Sequence, residues 1–331
     1  MPGTRRFCPA LLILPLFMTA PASGESRALG CKPAPGGDAG IEACTALIEA
    51  GKDFASAHFN RGLMYADNGD LERAIADYGA ALERDPEHGD AYHNRALALI
   101  ELRDYDGAAA DLERAAKLKP DNASVHVDRG IVRVNQGDHD RALDDYDRAL
   151  AIDPGNVEGY YARGLALAWL NRIEDARRSI ERAVDLLPED VRVDWIDSAC
   201  WELGTLGRAG LALPYCDQAK AADTDAGLLD SRAFALWQLG DETAARQELQ
   251  AAHQLAPGGR VFEPTRRLEE FPLVLTQGLL KGLGYDPRYI DGEPAPETTD
   301  AIRSFQQANG MAVDGEVSED LIAALRAAQP G

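Results

Sequence analysis

The chain has 331 residues, 45% of them hydrophobic and 27% charged, which is long enough and apolar enough for two or three domains with cores of their own. Its 55 acidic residues against 34 basic ones leave a net charge of -21, which repels nucleic-acid phosphates and anionic lipid surfaces alike. A nucleic-acid partner is therefore set aside.

The opening stretch, MPGTRRFCPALLILPLFMTAPASG, places Arg5 and Arg6 before a short apolar run from Phe7 to Ala20, with Ala20 and Ala22 at the A-x-A spacing of a cleavage site. Residues 1–22 read as a cleaved export signal. The run is too short for a membrane span, and no later stretch is long and apolar enough to be one. A periplasmic or extracellular location is expected. A lipid anchor on Cys31 is not, because Ala-Leu-Gly before it lacks the usual leucine three residues upstream. Cys8 leaves with the signal, so Cys31, Cys44, Cys200 and Cys216 enter an oxidising compartment as an even set. Sequence proximity suggests Cys31 with Cys44 and Cys200 with Cys216, each loop contributing roughly 3 kcal/mol in the chain-entropy account. No two cysteines are close enough for a C-x-x-C redox or zinc site.

Pro86, Pro120, Pro154 and Pro188 recur every 34 residues, each closing a helix-like run, and such a constant period means a stacked array. Small residues fall where two antiparallel helices must approach: Gly62, Ala96, Gly130 and Gly164 in the first helix, then Ala74, Ala108, Ala142 and Ala176 in the second. These units resemble tetratricopeptide repeats, a family of helix-turn-helix modules, over roughly 40–259. Four units are regular (55–88, 89–122, 123–156 and 157–190), a fifth (191–225) departs from the period, and a sixth (226–259) restores it through Pro257. The fifth is expected to carry extra residues in its turn, with Pro214 disturbing its second helix and Cys200–Cys216 stapling the pair. Upstream, AGIEACTALIEAG fits the second helix of an incomplete first unit, with Cys44 falling 34 residues before Tyr78. Residues 23–54 then form an N-terminal cap and half repeat.

Arg61, Arg95 and Arg129 precede Asp77, Asp111 and Asp145 by 16 residues, Arg232 precedes Glu248 by the same offset, and Arg163 faces Ser179 instead. The pattern reads as ion pairing between the helices of each unit, a register device before a ligand site. The resemblance implies a concave groove lined by the first helices. Its expected lining is Phe59, Leu63, His93, Leu97, Val127, Ile131, Tyr161, Leu165, Trp169 and Trp195, with Phe234 and Trp237 in the last unit. An apolar, aromatic lining favours a protein or peptide client over sugars or phosphates. The Lys and Asn with which family members clamp a terminal carboxylate are missing.

Beyond the repeats, 260–271 reads as a linking or capping helix, and Pro272 as the start of a terminal module of three helices, Leu273–Leu283, Pro296–Asn309 and Ser318–Ala328. Gly284 and Gly310 are expected to stop the first two. Leu279, Leu280, Leu283, Ile302, Phe305, Leu321 and Leu325 fall at helical spacing and predict its core. Gly292 and Gly315 follow Asp291 and Asp314 in turns that other residues would strain. The ordered set Leu273, Gln277, Leu280, Leu283, Gly284, Tyr285, Asp291, Gly292, Thr298, Ala301, Phe305, Gln306, Gly310, Asp314, Gly315 and Leu325 is similar to the peptidoglycan-binding module at the ends of many wall hydrolases, over 272–328. Thr276 stands where that family usually has leucine, and Glu-Pro-Ala-Pro follows the first Asp-Gly in place of an apolar residue and Phe-Gly. The resemblance implies peptidoglycan as ligand, with Asp291, Thr298, Arg303, Gln306 and Asn309 as the polar loop residues that could bond glycan hydroxyls or stem-peptide amides.

The six histidines are scattered, no H-E-x-x-H, G-x-S-x-G or P-loop occurs, and the carboxylates lie on repeating faces without partners of distinct environment. No catalytic residue, metal or cofactor is assigned. The sequence thus predicts an all-α, non-catalytic scaffold: a helical-hairpin solenoid over 55–259 that binds a client, then a three-helix module that binds wall. Two alternatives stay open, an accessory or cryptic enzyme of wall turnover and a purely protein-binding adaptor.

Overall fold

The structure, a computed structural model, describes residues 31, 38–51, 54–222, 225–256 and 264–329. The expected export signal, Pro257 and residues 260–263 of the expected linker lie outside them. Among the described residues every regular element is an α-helix, the class that the periodicity implies. The chain divides into two compact bodies, one running to Val132 with Ala151–Asp153, the other comprising Arg133–Leu150 and the residues from Pro154 onward.

In the N-terminal body, α1 (Asp38–Glu49) precedes the hairpin of α2 (Ala55–Asp67) with α3 (Leu71–Arg84) and that of α4 (Gly89–Glu101) with α5 (Tyr105–Leu118), followed by most of α6 (Ala123–Asn135). The C-terminal body takes the end of α6 and, but for its last two residues, α7 (His139–Ile152). Three hairpins follow: α8 (Val157–Trp169) with α9 (Ile173–Leu186), α10 (Glu189–Thr205) with α11 (Ala209–Ala222), and α12 (Ala226–Gln238) with α13 (Glu242–Leu255).

Local chemistry explains where these helices start and stop. Each first helix ends in a left-handed residue, at Gly69, Arg103, Gly137, Asn171, Gly207 and Gly240 with φ from 57° to 85°, the backbone state that closes a helix and reverses the chain. The carboxylates of Asp70, Asp104 and Asp241 then accept the backbone N–H three residues on and open the second helix. Close approach within a hairpin demands the small residues: a Cβ on Gly62 would stand 2.8 Å from the Tyr78 ring, and Ala74, Ala108, Ala142 and Ala176 have no exposed surface.

Arg61 reaches both oxygens of Asp77 at 2.7 and 2.8 Å, and Arg95 both oxygens of Asp111 at 2.6 and 2.7 Å. These bidentate bonds fix helix register with charge-assisted geometry. Asp145 is reached at 2.7 Å by Arg133, one turn further along α6 than Arg129. Arg163 bonds Ser179 and Asp147 at 2.6 Å each, so an acid supplied from the preceding helix replaces the absent partner. Arg232 bonds Glu248 as its spacing predicts and adds Asp217 at 2.8 Å.

Two sequence expectations for the fifth unit are corrected. Its turn, 206–208, is three residues like that at 170–172, and the additional residues lengthen the first helix, α10, to 17 against 13 in α8. Pro214 lies inside α11 without ending it. Proline removes one helical hydrogen bond there, but buried Tyr215 and the Cys216–Cys200 disulfide to α10 hold the helix in place. Cys31 and Cys44 are likewise joined, the pairing that proximity suggested.

The last three helices also belong to the C-terminal body. They are α14 (Pro264–Gly282), α15 (Pro296–Ala308) and α16 (Glu319–Ala328). Pro272 does not start a helix, because α14 runs through it for 19 residues. Gly284 and Gly310 take φ of 84° and 66° after α14 and α15, and Ser318 caps α16 by accepting the N–H of Leu321. One apolar core joins the last repeats to these helices: Trp169, Phe234 and Leu249 are continuous with Phe271, Leu275 and Leu279 and with Ile302, Phe305, Leu321 and Leu325. Leu283 is only partly buried against it.

Candidate functional site

The helix α14 has two working faces. Towards its own module, Gln277 is fully buried and its Oε1 accepts the backbone N–H of both Asp291 and Gly292, at 3.1 and 2.9 Å. Its Nε2 donates to the Glu293 carbonyl at 3.1 Å and to Thr298 Oγ1 at 3.3 Å. The second Asp-Gly loop is held the same way: Gln306 accepts from Gly315 N at 3.0 Å and donates to Asp314 Oδ1 at 2.6 Å. Donation from the Glu316 N–H, then from Gln306, holds the Asp314 carboxyl below its usual range. The left-handed Gly292 and Gly315, at φ of 80° and 77°, let each loop turn its N–H groups onto the glutamine.

Of the five residues expected to meet peptidoglycan, Thr298 and Gln306 are therefore buried inside this network, Thr298 also donating to the Pro287 carbonyl at 3.0 Å. Asp291, Arg303 and Asn309 are exposed. Asp291 accepts the N–H of Glu293 at 2.9 Å, and Asn309 donates to the Phe305 carbonyl at 2.9 Å. Sequence reasoning grouped all five by polarity. The signal that separates them is a glutamine on the inner helix face ahead of each Asp-Gly. Replacing Gln277 by alanine leaves two loop N–H groups without their acceptor, a loss of about 1–3 kcal/mol. Amide exchange should accelerate at Asp291 and Gly292 and stay unchanged at Gly315.

The other face of α14 lies on the inner surface of the last repeats. Arg267, 1% exposed, sends Nε and Nη2 to the two oxygens of Asp230 on α12 at 2.8 and 2.9 Å, and Nη1 to Glu270 and the Asp291 carbonyl. Those carboxylates hold the guanidinium above its ordinary range although burial, the largest effect on it, opposes them. One turn on, Phe271 packs on Phe234 and Trp237 with ring centres 5.2 and 5.7 Å apart. Further along, Gly278 and Gly282 touch the repeats backbone to surface: a Cβ would stand 2.1 Å from the Thr205 carbonyl oxygen and 2.3 Å from the Trp169 ring. His139 Nε2 donates to the Gly282 carbonyl at 2.7 Å while its ring stacks on Trp169, and Gln329 Nε2 donates to the Leu206 carbonyl at 3.1 Å.

Beneath this contact lies a cavity of about 90 Å³, walled by Leu165, Trp169, Thr205 and Gly278 and carrying Glu202, His139 and Lys281. Glu202 Oε1 and His139 Nδ1 are buried there with no hydrogen-bond partner. Burial pushes the Glu202 carboxyl up to about 8, against the opposing pull of Lys281 and Tyr161, and pushes the His139 imidazole down.

The expected client lining is thus placed differently from the concave groove that the resemblance implies. Phe59, Leu63, His93, Leu97, Val127, Ile131, Tyr161, Leu165 and Trp169 are buried in the chain's own packing, and Trp195 is half-buried, edge-on to Tyr161 at 5.1 Å. Phe59 packs against Tyr78 and His88, and His93 bonds Asp128 at 2.5 Å. Trp169, Phe234 and Trp237 are covered by α14. Among the described residues no three metal-binding side chains come together, and no helix is long and apolar enough to cross a membrane.

Comparison with known proteins agrees with this architecture. Family models described as "Tetratricopeptide repeat" match 37–89, 65–123, 93–157 and 134–194, and one described as "Putative peptidoglycan binding domain" matches 273–325. No curated protein matches the chain. Among solved structures, a tetratricopeptide repeat protein from Parabacteroides merdae aligns over 69% of this chain and 90% of its own, at 16% identity and a TM-score of 0.53. PilW, a type IV pilus biogenesis factor, aligns over 64% and 98% at 20% identity, also with a TM-score of 0.53. At such identity these two neighbours speak for the fold alone. The match of repeats over 37–194 and of the terminal domain over 273–325 makes the chain a tetratricopeptide repeat protein with a C-terminal domain of the peptidoglycan-binding family.

Proposed function

We propose that the protein is a non-catalytic adaptor of the cell envelope, whose repeats hold a protein or peptide client and whose terminal domain holds peptidoglycan. The observation that carries this reading is the family match of the terminal domain on the same chain as the repeats. Two disulfides suit an oxidising compartment such as the periplasm. With Thr298 and Gln306 committed to internal bonds, wall contact falls to the exposed Asp291, Arg303 and Asn309. In the N-terminal body, client contact falls to the exposed parts of the repeat helices. Asp67 and Glu101 stand there 34 residues apart at matching ends of α2 and α4, their carboxyls raised by partial burial.

Co-sedimentation of the full chain with purified sacculi tests the wall contact. The wild type should pellet with murein, and the Arg303→Ala, Asn309→Ala double variant should lose about tenfold in affinity, the equivalent of one good polar contact. Absence of pelleting by the wild type would leave a purely protein-binding adaptor. Clearing of a murein zymogram by the purified protein would replace the adaptor with an enzyme of wall turnover.

A further inference from the structure

The inner face of the last repeats is filled by one helix, and the fit is specific along the whole length of that helix. Arg267 meets Asp230 at one end, Phe271 packs against both Phe234 and Trp237, and Gly278 and Gly282 bring the backbone against Thr205 and Trp169 at the other. These residues share one face of α14 with Val274, whose Cγ2 lies against Gly292, while Gln277, turned away from that face, holds the loop. The repeats thus read a helix by a buried arginine, an aromatic ring one turn on, and two small residues eleven and fifteen positions after the arginine. The unfilled cavity beside Gly278, with the unpartnered Glu202 Oε1 and His139 Nδ1, shows that the glycine end of the fit is the less complete one.

We propose that the groove across α8, α10 and α12 is a receiving site for an amphipathic helix and that α14 is its resident occupant. A client helix with the same pattern enters only when α14 leaves, so client capture at these repeats and docking of the terminal module exclude each other. The proposal rests on the adaptor reading only for the existence of a client. The eight residues 256–263 between α13 and α14 span at most about 29 Å, so α14 competes at the high effective concentration of a short tether.

The test uses the full chain and a labelled peptide of residues 264–283 as the client surrogate. In the Gly278→Leu variant the new side chain meets the Thr205 backbone, the nearest neighbour of that position, so α14 should be expelled from the groove. The labelled peptide should bind this variant at least about tenfold more tightly than the wild type, whose groove is occupied. The same peptide carrying Arg267→Ala should lose that gain. Hydrogen exchange reports whether α14 has left and whether the module, followed at Gly315, is still folded. Equal binding to variant and wild type overturns the proposal, as does unchanged protection of α14 in Gly278→Leu. Failure of the peptide to bind while the variant pairs with wild-type chains in sedimentation would also overturn it, in favour of exchange between copies. None of these outcomes depends on murein, so loss of wall binding and failure of this proposal are separable.

Discussion

Replacing Arg267 by alanine is expected to lower the stability of the C-terminal body by about 3–5 kcal/mol, the usual range for breaking a buried ion pair from one side. The loss is large because of what remains. Asp230, itself 1% exposed, is left in the interior without that guanidinium, and the Asp291 carbonyl and Glu270 lose a donor. The ring of Phe271, 5.5 Å from the guanidinium carbon, loses the cation above it. The measurement is favoured by an accident of composition: all four tryptophans, Trp169, Trp195, Trp201 and Trp237, lie in this body, so urea unfolding followed by their fluorescence reports it selectively. Combining Arg267→Met with Asp230→Leu removes both charges and should recover most of the loss, since apolar residues of similar volume often replace a buried pair at little cost. A single alanine variant that unfolds within 1 kcal/mol of the wild type would show that the pair does not hold α14 in place.

The repeat architecture was legible because it is written in local punctuation. Prolines at a constant interval, small residues at the helix crossings and a charged pair 16 residues apart each follow from contacts inside one hairpin, and the structure shows those contacts. The cysteine pairs were legible for the same reason, being 13 and 16 residues apart. What fills the inner surface of the last repeats was not legible. Trp169, Phe234 and Trp237 announce an apolar surface, but α14 announces only its own module: its leucines give the helical period, while the face that enters the groove is marked by two glycines, which carry no hydrophobic signal. Arg267 and Asp230 lie 37 residues apart, outside the repeat period, and nothing in either neighbourhood points to the other. Pro214 and Pro272 misled in one direction: each reads locally as a break, and each is carried inside a helix because buried neighbours on both sides outweigh one missing hydrogen bond.

This division between hairpin chemistry and long-range docking bears on the terminal module. Its loops are fixed by Gln277 and Gln306 from within, whereas its position is fixed from outside by Arg267, Phe271 and the two glycines. The two sets can therefore be altered separately: Gln277→Ala loosens a loop in a docked module, and Gly278→Leu releases a module whose loops remain closed.

Raising the pH from 6.5 to 8 should weaken the C-terminal body by about 2 kcal/mol, and Glu202→Gln should abolish the decline. Glu202, on α10, faces Tyr161 from α8 and Lys281 from α14, and burial raises its carboxyl from 4.5 to about 8. An acid raised on folding keeps a proton that the unfolded chain releases. Its penalty is absent below 4.5, grows with pH, and is complete above about 8, where it amounts to roughly 5 kcal/mol. His139, facing Asp138, Asp140 and the Gly282 carbonyl, has the opposite sign: lowered on folding, it supports the body fully above 6.5 and withdraws that support as pH falls towards its folded value. Where both titrate the two slopes oppose each other. Above 6.5 His139 is neutral in both states and Glu202 alone sets the slope, close to one proton, or about 1.4 kcal/mol per pH unit. Glutamine keeps the shape and hydrogen-bonding capacity of the protonated acid, so the variant should match the wild type near pH 4 and exceed it at pH 8. Tryptophan-monitored urea midpoints across this range decide the matter: parallel profiles for the two proteins would mean that Glu202 does not stay protonated beneath α14.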